Sequence, residues 1–230
     1  TNGGSASGAN VTFSSTLNGT AAGAQSLTIN AGTGGDVTFT GAVGGTTRLG
    51  TLTITNAEDV TASSTVSAAA IRQVAGQQLT RFDGVVDTTT ASGIDLDGVA
   101  FTFNDDVTAT GSGIVRVTNS GAFTIAAGAP IVASGAVTQD GAGAASIGAN
   151  VSGSGVSFSG PATMTAPITF TGAAGGVSFG STLATGGNAL TVNSGGVVGF
   201  GGAVTGSRAA LLIRPTLAST PIDLGTITGG

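Results

Sequence analysis

The 230-residue chain contains no Cys, His, Trp, Tyr or Lys, and its six basic residues are all Arg. Without Cys no disulfide forms, so the chain is compatible with any redox compartment. Without His, Cys, Lys and Tyr most nucleophile and general-base arrangements are unavailable, which leaves carboxylates as the only acid–base groups. The missing Trp and Tyr remove the usual faces for sugar stacking. They also remove the core Trp and corner Tyr of an immunoglobulin-like sandwich. A membrane barrel wants aromatic girdles and strands of about ten residues, and neither is present. Charged residues make up 7% of the chain, net charge is −5, and no basic run occurs. These features speak against nucleic acid and anionic membrane surfaces as partners. No apolar run reaches the roughly 18 residues of a membrane-spanning helix, and no secretory signal pattern opens the chain. Thr1 is not an initiator Met, so a piece of a longer polypeptide is expected.

What the chain does have is 42 Gly, 40% apolar residues and one recurring unit. The apolar content is the opposite of a disordered composition, and the Gly follow no collagen-like triplet. The unit is clearest in Gly35-Asp36-Val37-Thr38-Phe39-Thr40-Gly41-Ala42-Val43. Successive side chains of a strand point to opposite faces, so Val37 and Phe39 share one face and Thr38 and Thr40 the other. Gly41 turns the chain, and Val43 returns to the Phe39 side. An apolar residue stands four places after Phe13, Phe39, Phe82, Phe103, Phe158, Phe170, Phe179 and Phe200 (Leu17, Val43, Val86, Val107, Ala162, Ala174, Leu183 and Val204). The residues between are mainly turn formers, and Gly with β-branched flanks disfavours a helix. Each Phe therefore ends one short strand, and its partner begins the next.

Further strands are expected at Ser26–Asn30, Leu52–Asn56, Leu79–Phe82, Val99–Phe103, Ile114–Val117 and Ala122–Ile125, then around Val192, Ile213 and Leu224. Ser67–Gln73 has the best helix propensity in the chain, yet its neighbours are strand-like and Gly76 would break a helix early, so it reads as strand or loop. The Gly/Ala/Ser stretch Gly135–Gly148 reads as thin-walled structure in which small side chains pack closely.

Two periods are nested. Phe158, Phe179 and Phe200 follow one another at a constant spacing of 21, Phe13 and Phe39 at a spacing of 26, and Ile29 and Ile54 at a spacing of 25. Repeats of about 20–30 residues with short strands are a solenoid signature. The longer period is a duplication in which the segment 11–43 resembles 177–204. VTFSSTL at 11–17 matches VSFGSTL at 177–183, LTINAG at 27–32 matches LTVNSG at 190–195, and GAV at 41–43 matches GAV at 202–204. The offset shrinks from 166 to 163 to 161 (177 − 11, 190 − 27, 202 − 41). A super-repeat of this length implies a tandem array, with 1–230 a single solenoid segment of it.

A three-residue strand cannot bury its Phe within its own coil. Stacking the coils pairs each strand with those above and below, which predicts an all-β, right-handed parallel β-helix. At these spacings the chain makes roughly ten coils and a rod on the order of 50 Å. Phe13, Phe39, Phe158, Phe179 and Phe200 should be inside, and Thr12, Thr38 and Ser178 outside. Asn30, Asn56, Asn119 and Asn193 follow strands and are expected at corners, with left-handed backbone and amides bonded along the axis.

The phrases VTFSSTLNGTAAGAQSLTINAG, DVTFTGAVGGTTRLGTLTITNA and GIDLDGVAFTFN resemble the repeats of filamentous-haemagglutinin-like and autotransporter-adhesin-like bacterial surface proteins. The resemblance is strongest over about 10–130 and again over 177–213. It implies a right-handed β-helical fibrous passenger, secreted or held at the cell surface. Its partners would be neighbouring repeats or other copies joined end to end, with cell-surface or matrix glycans as further candidates, and no membrane insertion.

Acids concentrate at Asp83, Asp87, Asp95, Asp97, Asp105 and Asp106. The reading we adopt is of solvated loop acids that keep an apolar fibre soluble. Asp95 and Asp97 with Asp105 or Asp106 of a neighbouring coil would be a calcium site, although Asp-Leu-Asp-Gly lacks the other ligands of a full calcium loop. A carboxylate pair is what a β-helical glycosidase would use. Arg72, Arg81 and Arg116 fall in the same region as counter-charges. Thr-rich strands raise ice binding, but no regular Thr-x-Thr marks one face. Gly-rich runs without Gly-Lys-Ser/Thr are not phosphate loops. No residue is assigned a catalytic, cofactor-binding or metal role, and a structural or adhesive extracellular fibre segment is the expected function. A glycan- or protein-binding module is the alternative, and a carboxylate-dependent polysaccharide-degrading enzyme comes after it.

Overall fold

A computed structural model describes residues 7–206 and 210–217. They form a parallel β-solenoid of about nine turns with no helix among the described residues, so none is long and apolar enough to cross a membrane. Leu224 and its expected strand lie outside the described residues.

Each coil visits three faces in turn. The first face is a ten-stranded sheet running from Val11–Phe13 through Val37–Phe39 and Ala100–Phe103 to Val204–Thr205. The second and third faces belong to one sixteen-stranded sheet. It is continuous because Val66–Gln73 bends around a corner. Val66–Ala68 pairs with Val86–Thr88 on the second face, while Ile71–Gln73 pairs with Ile94–Leu96 on the third. The segment with the best helix propensity is thus a strand that serves two faces. Its small residues Ala68 and Ala70 are buried where the corner tightens.

All the pairings are parallel and mostly in register, so like stacks on like. Val11, Val37 and Val60 stand in one inner column, and Thr12, Thr38 and Thr61 in the outer column beside it. Phe39, Phe158 and Phe179 are buried, and Thr12 and Ser178 are exposed. Phe13 and Phe200 are only partly buried; each lies in the first or last coil of the described residues and stacks there on one ring, Phe39 at 5.1 Å and Phe179 at 5.6 Å. Offset ring stacking adds about 0.5–1.5 kcal/mol per pair beyond the area buried.

Coil length varies more than the sequence spacing suggests. The step from Val11 to its partner Val37 is 26 (37 − 11), and the step from Ala145 to its partner Ala162 is 17 (162 − 145). That short coil begins at the end of the Gly/Ala/Ser stretch 135–148, and the stretch itself is packed wall as expected. A Cβ on Gly141 would lie 1.9 Å from the Asn119 carbonyl oxygen, and one on Gly143 would lie 1.8 Å from that of Gly121.

The repeated unit turns out to occupy two different corners. After Phe39, Phe82 and Phe103 the chain passes from the first face to the second; after Phe158 and Phe179 it passes from the third to the first. Phe170 departs from the pattern, since Ala174 lies exposed in a loop after Ile168–Gly172. The duplicated segments are likewise one face out of phase. Val11–Phe13 lies on the first face and its counterpart Val177–Phe179 on the third; Leu27–Asn30 lies on the third and its counterpart Leu190–Ser194 on the second.

Candidate functional site

The outward column of the third face runs Thr28, Thr53, Arg72, Asp95, Arg116, Thr138 over successive coils. Stacking alone puts alternating charges next to one another. Arg72 Nε lies 3.9 Å from Asp95 Oδ2, and Arg116 Nη1 donates to Asp95 Oδ1 at 3.2 Å. Arg116 Nε donates to Asp140 Oδ2 at 2.8 Å, and the Thr118 hydroxyl donates to Asp140 Oδ1 at 2.7 Å. The hydrogen bond to Asp140 outweighs desolvation, and with Asp95 it holds the Arg116 guanidinium above its usual range.

Beside this network an open groove of about 530 Å³ follows the corner between the third and first faces. Asp97, Gly98, Thr118, Ser120, Asp140 and Gly141 line it. Asp140 directs both oxygens to Arg116 and Thr118, whereas Asp97 is exposed at the rim.

The six aspartates singled out in the sequence do not converge. Asp95 and Asp97 lie on one strand of the third face, and Asp87 lies on the second face, paired with Arg48. Asp83, Asp105 and Asp106 lie at the corner between the first and second faces. Asp83 is met by Arg81 Nη2 at 3.0 Å and by Asn104 Nδ2 at 2.7 Å, and Asp105 accepts from the Asp106 backbone N–H. The combination of Asp95 and Asp97 with Asp105 or Asp106 is therefore not assembled. Among the described residues no group of three or more acids is placed to hold a metal ion. Arg72, Arg81 and Arg116 all act as counter-charges. Thr residues on the first face form a single outer file interrupted by Arg81, Ser146 and Ala184, not a double Thr-x-Thr array.

Sequence reasoning missed Asp140, which sits in the Gly/Ala/Ser stretch and reaches back one coil to Arg116. Its signal is the coil spacing itself, since one turn beyond Arg116 lands at Thr138. It also missed a buried amide cluster. Gln139, 1% exposed, donates from Nε2 to Asn119 Oδ1 at 2.6 Å and to the Gly141 carbonyl at 2.7 Å, while its Oε1 accepts from the Gly160 N–H at 3.0 Å. Earlier in the stack, buried Gln73 accepts from the Thr80 hydroxyl at 2.8 Å. The expected Asn ladder is replaced by this arrangement. Asn30 instead accepts from the Gly32 N–H, and the described left-handed backbone belongs to Gly residues and Ser112 rather than to any Asn.

No family model matches the chain, and no curated protein or solved structure matches it either.

Proposed function

We propose that the chain is a structural or adhesive fibre segment of a bacterial cell-surface protein, of the filamentous-haemagglutinin-like or autotransporter-adhesin-like kind. The observation that carries this reading is the uninterrupted stack of about nine turns, in which interior strands pair on both edges. In such a stack an interior coil opens only by losing two interfaces, which suits a load-bearing spacer. Acids on the outside of the stack, several of them paired with Arg across coils, add solubility without breaking the ladders. The repeat texture of the sequence supports an extracellular location.

A second reading, a glycan-binding module, draws on the groove lined by Asp97, Thr118 and Asp140, whose carboxylates and hydroxyl suit sugar hydroxyls. Labelling intact producing cells with an antibody to this chain tests the first reading, and surface decoration is expected. Labelling only after permeabilisation would contradict it. A glycan array probed with the chain and with the Asp97→Ala variant tests the second; binding lost in the variant would move the function to the groove.

A further inference from the structure

Asn-Gly is the dipeptide at which deamidation meets the least hindrance, because no Cβ keeps the Gly backbone nitrogen from the preceding side-chain amide. The chain holds it twice, at Asn2–Gly3 and Asn18–Gly19, and the first lies outside the described residues. Asn18 is exposed. It opens the loop that joins Leu17 on the second face to Leu27 on the third.

Both reacting groups of the pair are held by one short segment of the next coil. Asn18 Oδ1 accepts from the Thr46 and Thr47 N–H groups at 2.9 and 3.2 Å. The Gly19 N–H donates to the Thr47 carbonyl at 3.0 Å, and the Gly23 N–H to that of Arg48 at 2.9 Å. Inside the loop, Gln25 Oε1 accepts from the Thr20 and Ala21 N–H groups at 2.8 and 3.1 Å.

We propose that Asn18–Gly19 is a deamidation site gated by release of its loop from Thr46–Arg48, so that conversion of Asn18 records the opening of this coil. In the step itself the Gly19 backbone nitrogen loses its proton and bonds to Asn18 Cγ. The Cγ–Nδ2 bond breaks, and the amide nitrogen leaves as ammonia. Water then opens the cyclic imide at either carbonyl, giving aspartate or isoaspartate, and nothing is oxidised or reduced. While the loop is docked, the Gly19 proton faces a carbonyl oxygen, which is no base, and ring closure would forfeit that hydrogen bond. The two bonds to Oδ1 fix the amide as well. The side chain and the Gly19 nitrogen are therefore free to meet only when the loop has lifted off.

The two products leave different loops behind. Aspartate offers Thr46 and Thr47 the same acceptor with a charge added, which strengthens such bonds, so the loop docks again. Isoaspartate routes the main chain through the side-chain carbon and lengthens it by one methylene. Gly19 and Gly23 then no longer meet Thr47 and Arg48 in register, and the loop stays open. The inference is independent of the fibre reading.

The full-length chain is kept at physiological temperature and mildly alkaline pH, and Asn18 is followed by peptide mapping with isoaspartate separated from aspartate. Conversion is expected to be at least about tenfold slower than in the same chain held in denaturant, the factor that a local opening free energy of about 1.4 kcal/mol imposes. Gly23→Pro and Gln25→Ala loosen the loop without altering residues 18–20. Pro has no N–H for the Arg48 carbonyl and cannot adopt the φ of 75° found at Gly23. No atom lies within 4 Å of a Cβ at that position, so the rest of the coil meets no clash. Both variants should keep the circular dichroism of the unmodified chain and convert faster than it does. Asn18→Asp should keep the hydrogen-exchange protection of the Gly19 and Gly23 amides. Conversion of the folded chain as fast as in denaturant, no acceleration in either loosened variant, or loss of that protection in Asn18→Asp overturns the proposal.

Discussion

Phe179 is held from three directions. Its ring stacks on Phe158 at 5.8 Å and on Phe200 at 5.6 Å, and it meets Phe170 edge-on at 5.1 Å. Phe179→Ala leaves a cavity in all three contacts, and we expect a loss of about 3–5 kcal/mol, read by denaturant unfolding. Phe13→Ala should cost clearly less, because Phe13 is only partly buried and stacks on Phe39 alone. Glycines divide in the same way. Gly141→Ala drives a methyl into the Asn119 backbone and should lower the unfolding temperature sharply, whereas Gly199→Ala, with open space around it, should leave that temperature unchanged or raise it. At this scale much was legible. The alternation Val37-Thr38-Phe39 tells inside from outside because period two is a local property of extended backbone. Gln139 was not legible, because an amide in a strand reads as an outward polar residue until its partners from two other coils are in place.

Corners decide what strands cannot. The unit Phe-x-x-x-apolar looks the same after Phe39 and after Phe179, yet one corner leaves the first face and the other leaves the third. Position around the coil accumulates from loop lengths, and these range from the long first coil to the short step between Ala145 and Ala162. No single residue marks that sum, so the phase of the duplication stayed hidden in the sequence, and the partnership of Arg116 with Asp140 is legible only once the local coil spacing is known. The corner between the third and first faces is tied internally by Gln139. Gln139→Ala leaves the Gly160 N–H and Asn119 Oδ1 without their partner, and a cost of about 1–3 kcal/mol is expected in denaturant unfolding. Opposite behaviour is expected outside. Asp95→Asn with Asp97→Asn removes one half-buried bridging acid and one exposed rim acid, a change of about 0–1 kcal/mol that salt should largely erase. Arg116 adds no pH dependence near neutrality. A base whose folded pKa is raised contributes its stability fully below its ordinary value and loses it only as pH climbs past the raised one. Thermal unfolding of the chain and of Arg116→Met should therefore differ by a constant amount from neutral to mildly alkaline pH.

At the scale of the whole molecule stability comes from stacking, since each interior coil pairs with the coil before it and the coil after it. Interior coils lose two interfaces when they open and edge coils lose one, so covering an edge should stabilise the coil beneath it. Hydrogen exchange of the full-length chain, resolved along the sequence, tests this most directly. Backbone amides of interior coils, such as those of Ile94–Ile125, are expected to exchange last and together, and those of the first and last described coils to exchange first. Uniform exchange along the stack, or an interior coil that opens before the outer ones, would contradict it.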